Sequence, residues 1–388
     1  MANASGPLIL DYLKHNRMEF VSVLELLTLC ESPSDVPDTQ KGIRVKLAEA
    51  FQDLGFKIVL VNGRTSGGHL YARPAKRTRR SAAQLMLGHY DTVWPVGTLK
   101  TMPLQVDGNV IKGPGVYDMK GGVVQMLFAL KALREFGIEP PVTPLVFLNS
   151  DEEIGSRESR KQVLGLARCV ERVFVLEPSL GSSGKLKTAR KGVGRFTVLV
   201  KGRAAHAGLD PEGGVSAILE MSHVIQQLFA MNDVDRGVTV NVGTVDGGLR
   251  PNVVAPESRA VVDVRVKTLA DAQRVEQAIL NLTPTTSGVT LKIEGGIGRP
   301  PLEPTARNQR LWKLAQALGW ELGLELDQGL AGGGSDGNLT STHTATLDGL
   351  GAVGGGAHAP HEFLYIDKTL ERAALLALLL AQPPVAVD

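Results

Sequence analysis

A chain of 388 residues, 43% hydrophobic and 21% charged, has the composition of a soluble globular protein, and its length favours two domains over one. A formal net charge of +2 gives no electrostatic case for nucleic acid or an anionic membrane, and two cysteines, Cys30 and Cys169, cannot build a disulfide framework. The most apolar run, residues 373–381, is too short to span a bilayer, and residues 1–6 lack the basic and apolar regions of a signal peptide, so a cytoplasmic protein is expected.

Apolar residues at Ile9, Leu10, Leu13, Phe20, Val23, Leu24 and Leu27 predict a helix over 7–30, and a second helix over 42–54 is closed by Gly55. Strands are predicted at 56–61, 69–73 and 84–87, the last running into Gly88-His89-Tyr90-Asp91-Thr92. A helix over 121–136 stops at Gly137. Strand 142–148 runs into Asn149-Ser150-Asp151-Glu152-Glu153, and strand 173–176 into Glu177-Pro178. This alternation predicts an α/β core with helices on both faces of a mixed twisted sheet.

After residue 189 the order changes. Strand 196–200, helix 215–229, strands 238–245 and 259–266, helix 269–282 and strand 289–293 follow the split βαβ order of a ferredoxin-like α+β unit. Glycines and prolines at 295–301 read as its far boundary, and a helix over 308–318 resumes the first domain. The predicted organisation is a first domain made of 1–189 and 301–388, interrupted by an inserted lid domain of 190–300.

Chemistry-bearing residues gather where strands end or a helix begins: His89 and Asp91, Asp118 in Gly113-Pro-Gly-Val-Tyr-Asp-Met-Lys-Gly-Gly122, Glu152 and Glu153, Glu177, and His358 in a glycine-rich loop. Each has an ordinary reading when taken singly. Asp118 is a candidate helix cap, Glu152 and Glu153 a solvated pair, His89 a satisfied core histidine. Together, at strand ends that form a ligand crevice, so many carboxylates call for a compensating dication.

The segments His89-Tyr-Asp-Thr-Val93, Gly113 to Gly122, Ser150-Asp-Glu-Glu-Ile-Gly-Ser156, Glu177-Pro-Ser179 and Ser335-Asp-Gly-Asn338 resemble the co-catalytic zinc metallopeptidase family. That family contains glutamate carboxypeptidase, acetylornithine deacetylase, succinyl-diaminopimelate desuccinylase and the aminoacylases, and the pattern is nearest to the bacterial glutamate carboxypeptidases. The resemblance implies two Zn2+ per subunit, with Co2+ or Mn2+ able to use the same ligands. Asp118 would bridge the two ions, His89 and Glu177 would complete one site, and Glu153 and His358 the other. Asp91 would orient His89, and Glu152 would be the general base in amide hydrolysis. His361 rivals His358, which is preferred because it precedes Glu362 by four positions.

In the lid, the resemblance gives His206 the job of stabilising the oxyanion in a partner subunit's site, which implies a homodimer. It gives Asn252, Arg265 and, less directly, Arg299 the job of holding a substrate carboxylate, with backbone donors at Gly333 and Ser335. A strand-edge salt bridge is the competing reading for Arg265, and a glycine turn for Gly333. The implied substrate is a small peptidyl or N-acyl amino acid. Release of a C-terminal amino acid, glutamate first, is the leading activity; N-acyl-amino-acid deacylation is the alternative.

Overall fold

The computed structural model describes residues 5–76 and 81–384, so part of the N-terminal segment inspected for an export signal lies outside the described residues. The chain divides into two compact units. One is Met1–Ala189 with Pro304–Ala331 and Ser335–Asp388; the other is Arg190–Glu303 with Gly332–Gly334.

The first unit is built on a six-stranded sheet in the order Phe56–Val61, His69–Pro74, Thr143–Asn149, Ala83–His89, Arg172–Val175, Ala345–Leu347. The first two strands are antiparallel to their neighbours and the last four are parallel to one another, so the sheet is mixed. Alternation along the central strands supplies both faces with core. Met86, Val146 and Phe174 pack with Val124, Phe128 and the helix Ile366–Leu380. Leu85, Leu87, Leu145, Phe147 and Val175 pack the other way, against Val163 of the helix Arg160–Ala167. Because the parallel strands are covered on both faces, they read as continuous apolar runs.

The helix predicted over 7–30 is two helices, Gly6–His15 and Arg17–Thr28. The break is at Asn16, whose backbone turns to φ −90°, ψ 18° while its backbone and side-chain amides both donate to the Tyr12 carbonyl, at 3.1 and 2.8 Å. Among the described residues no helix is long and apolar enough to cross a membrane.

The second unit holds an all-antiparallel four-stranded sheet in the order Thr239–Gly247, Glu257–Val266, Gly192–Lys201, Thr290–Arg299. Helices Ala217–Phe229 and Leu269–Leu280 bury Met221, Val224, Leu228, Val275 and Ile279 against Phe196, Val198, Val262 and Val264. Both helices have working N-caps: Ser216 accepts from the Leu219 amide, and Thr268 from the Asp271 amide. The glycines predicted to end this unit lie inside its last strand. Gly295 pairs with Phe196 and Gly296 with Arg195, where the neighbouring backbone leaves no room for a Cβ on Gly295.

Candidate metal centre

Three parallel strands deliver acidic and imidazole groups to one edge of the sheet. Ala83–His89 places His89 beside Asn149 of one neighbour, and Leu87 beside Val175 of the other. Their carboxyl ends therefore open together, which brings His89, the turn after Asn149 and Glu177 into one crevice. Asp118 arrives from the segment ahead of the helix Gly121–Glu135. That segment turns at Gly115, which has φ +75° and where a Cβ would lie 2.7 Å from the Thr92 methyl. The helix then starts close under the sheet because Gly122 admits the Leu176 carbonyl: a Cβ there would sit 2.0 Å away from it.

Asp118 faces two histidines at once. Its Oδ1 lies 3.4 Å from His89 Nε2, and its Oδ2 lies 3.4 Å from His358 Nε2. His89 Nε2 is also 3.4 Å from Glu177 Oε1, and His358 Nε2 is 3.1 Å from Glu153 Oε2. His358 holds a left-handed backbone with φ +60°, a conformation that costs an L-residue roughly 1–2 kcal/mol and recurs at functional sites. His361 is exposed and takes no part in these contacts among the described residues.

The tautomer of His89 is fixed from behind. Nδ1 lies 3.0 Å from the Asp91 carbonyl oxygen and 3.4 Å from Asp91 Oδ1, so this nitrogen donates and Nε2 presents its lone pair to the carboxylates. Of the two Asp91 acceptors facing this nitrogen, the carbonyl is the nearer. The carboxylate is busy elsewhere, accepting from Ser34 Oγ at 2.6 Å, the Glu152 amide at 3.3 Å and the Glu153 amide at 3.2 Å. Asp91 thus ties the His89 turn to the acidic pair.

A lone pair facing two carboxylates is electrostatically wrong unless a cation stands between them. Among the described residues, buried His89 Nε2, Asp118 Oδ1 and Glu153 Oε1 have no hydrogen-bond partner. Ligand atoms of His89, Asp118 and Glu153 lie within 4.8 Å of one another, and so do those of His89, Glu152 and Glu177. Imidazole and carboxylate are the donor types that zinc and its neighbours take, so the residues fit a metal.

Without a metal, protons do the compensating. Burial works against a charge on His89, but Asp118, Asp91 and Glu177 hold its pKa well above the usual value. Contacts with Asp118 and Glu153 push His358 up to about 10. Burial and the Asp118 charge push Glu153 up to about 7. Asp118 is held below the carboxylate range by the two histidines, against the effect of burial.

Glu362 escaped notice in the sequence, where its only mark is its offset from His358. It is fully buried, and its carboxylate accepts four hydrogen bonds: from the amides of Gly115, Tyr117 and Asp118 and from the Trp94 indole.

His206, Asn252, Arg265, Arg299 and Gly333 belong to the second unit. His206 and Asn252 come together there, because the Ala207 amide donates to the Asn252 carbonyl at 3.0 Å and His206 bridges to Val253. His206 Nδ1 accepts from the amides of Gly208 and Leu209, both at 3.1 Å, which leaves the ring proton on Nε2. Arg265 forms a two-pronged ion pair with Asp263 at 2.8 and 3.0 Å, the salt bridge of its competing reading, but on an inner strand of the sheet rather than at an edge. Arg299 is buried at the end of its strand, and the Gly333 carbonyl accepts from Arg190 at 3.1 Å. Ser335 lies in the first unit and is spent on structure: in a helix capping box its amide donates to Asn338 Oδ1 and its hydroxyl accepts from the Gly337 amide, and the hydroxyl also donates to Asp348.

The profile of peptidase family M20/M25/M40 matches residues 85–382. The chain is 28% identical over 348 residues to carboxypeptidase G2 of Pseudomonas sp. strain RS-16, covering 86% of this chain and 82% of that protein. It is 24% identical to the succinyl-diaminopimelate desuccinylase of Dechloromonas aromatica, over 93% of this chain and 98% of that one. The crystal structure of aminopeptidase PepT from Bacillus cereus superposes with a TM-score of 0.78 at 20% identity, covering 94% of this chain and 98% of that one, a likeness of fold.

Proposed function

Because the chain belongs to peptidase family M20/M25/M40, a family of metal-binding peptidases and amidohydrolases, we propose that it is a di-zinc hydrolase that cuts an amide bond and releases a C-terminal amino acid. One observation carries the reading: the two oxygens of Asp118 point at two different histidines, each accompanied by a further glutamate. In this assignment His89 and Glu177 would hold one ion, Glu153 and His358 the other, and Asp118 would serve both. Cobalt or manganese could substitute in the same ligands.

Dications held there would supply Lewis acidity toward the scissile carbonyl and toward a water. Glu152 takes a proton from the attacking water on its carboxylate and passes it to the leaving nitrogen. Its backbone is pinned to Asp91 Oδ1, which keeps this base in register with His89. His206, with its proton on Nε2, is a donor suited to an oxyanion. Asn252, Arg265 and Arg299, with Gly333, remain the candidates for the substrate carboxylate; Arg265 would exchange Asp263 for it.

The 28% identity to carboxypeptidase G2 favours a carboxypeptidase acting on peptidyl or aroyl glutamate, while the near full-length match to a desuccinylase supports the second reading, an N-acyl-amino-acid deacylase. A panel of peptidyl, aroyl and N-acyl amino acids separates them. Preferential glutamate release from the first two classes is expected; release from acetyl or succinyl amino acids alone would give the site to deacylation.

Metal uptake should expel protons. The carboxylates around them raise the pKa of both histidines and burial raises that of Glu153 to about 7, while ligation requires all three without their protons, so affinity rises with pH. Calorimetry in buffers of different ionisation enthalpy should show net proton release on loading near pH 7, at least the one that His358 holds. Loading without proton release would contradict the histidine assignment.

The proposal extends to a cytoplasmic homodimer formed through the second unit, since the free thiols Cys30 and Cys169 suit a reducing compartment. Thr239–Gly247 is the last strand on its side of the sheet, with Val245 54% exposed and Leu249 72% exposed close by. Light scattering at micromolar concentration should give twice the 41.4 kDa chain mass. A fully active monomer would overturn the dimer.

A further inference from the structure

Glu362 lies on the His358 loop, four residues along, yet its carboxylate reaches into two other segments. Oε1 accepts from the Tyr117 amide at 2.9 Å and the Asp118 amide at 3.0 Å. Oε2 accepts from the Gly115 amide at 2.9 Å and the Trp94 indole at 2.8 Å. Its own carbonyl accepts from the Gly113 amide at 3.2 Å, so backbone and side chain both grip the Asp118 segment. Trp94 lies in the turn that follows His89 and Asp91. One buried carboxylate therefore fastens together the three segments that carry His89, Asp118 and His358.

Asp118 is two side-chain torsions away from the amide that Glu362 holds. Ligand distances tolerate only about ±0.2 Å, so a small drift of this segment misplaces one oxygen or the other. Hydrogen bonds from backbone amides to a charged acceptor are among the stronger ones, and three of them converge here with the Trp94 indole as a fourth donor. We infer that Glu362 is a positioning residue for the shared ligand: it sets the backbone of Asp118 so that each oxygen meets its own histidine, and thereby decides whether two ions can share one carboxylate. The inference rests on the two-metal reading above.

The test is a zinc titration of the full chain against a chromophoric chelator, run on the parent protein, Glu362→Gln and Trp94→Phe. Glutamine has the shape of glutamate but turns an amino group toward backbone donors, so one of the two donor pairs loses its acceptor. The parent should take up two ions. Glu362→Gln should keep the parent's far-UV circular dichroism and bind the weaker ion about 10–100-fold less tightly, the usual scale for loss of a partner behind a metal ligand. Trp94→Phe, which keeps the three backbone bonds, should show a smaller loss in the same direction. Parent-like affinity in a folded Glu362→Gln would overturn the inference. If that variant does not fold, parent-like affinity in Trp94→Phe overturns it instead. A parent chain that takes up no zinc defeats the metal reading itself, a result separable from either variant's.

Discussion

Glu152→Ala should hold both ions as the parent does and lose turnover by about 10²–10⁴-fold, the contribution typical of a positioned general base. The structure makes this a pointed experiment, because the Glu152 carboxylate also comes within ligand range of His89 and Glu177. Two roles for one carboxylate predict different outcomes. As the base it can be removed without loosening the metals, since His89, Glu177, Glu153, His358 and Asp118 are untouched, and the fall appears in kcat. As a ligand its removal would release metal, and added zinc would restore part of the rate. Metal content and kcat measured on the same sample decide between them.

Asp118→Ala should be the most damaging substitution for metal binding. Loss of a partner behind a ligand costs roughly 10–100-fold in metal affinity. Removing the carboxylate that faces both His89 and His358 withdraws a ligand from both positions and leaves Glu153 and Glu177 with less reason to share one crevice. The titration should show both ions weakened by more than that range. If only one ion is affected, Asp118 serves a single site and the two histidines belong to independent ions.

Much of this centre is legible from the chain because strand ends are legible. The apolar runs before His89, Asn149 and Glu177 mark parallel strands buried on both faces, and the register of such strands aligns their carboxyl ends without further instruction. What pattern could not show was decided by single side chains or by very short elements. Asn16 divides a helix whose apolar spacing reads as continuous. Gln105–Asp107, Val110–Lys112, Gly354–Gly355 and Phe363–Tyr365 form a small sheet from pieces of two and three residues, too short for periodicity to register. That sheet matters, because it brings the loop of His358 and Glu362 beside the strand leading into the Asp118 segment. Glu362 has no neighbours in sequence that explain its burial; its partners are more than 240 residues away in the chain. Ser335 shows the opposite error: a glycine-rich setting reads as a set of free donors, while in the fold a capping box consumes both its amide and its hydroxyl.

The most direct measurement strips the protein with a chelator and follows release of the C-terminal amino acid from a peptidyl glutamate as zinc is returned. A shared carboxylate between two ions predicts that activity is absent after stripping and returns up to two equivalents of zinc per chain. Activity that survives stripping, or is complete at one equivalent, would contradict it.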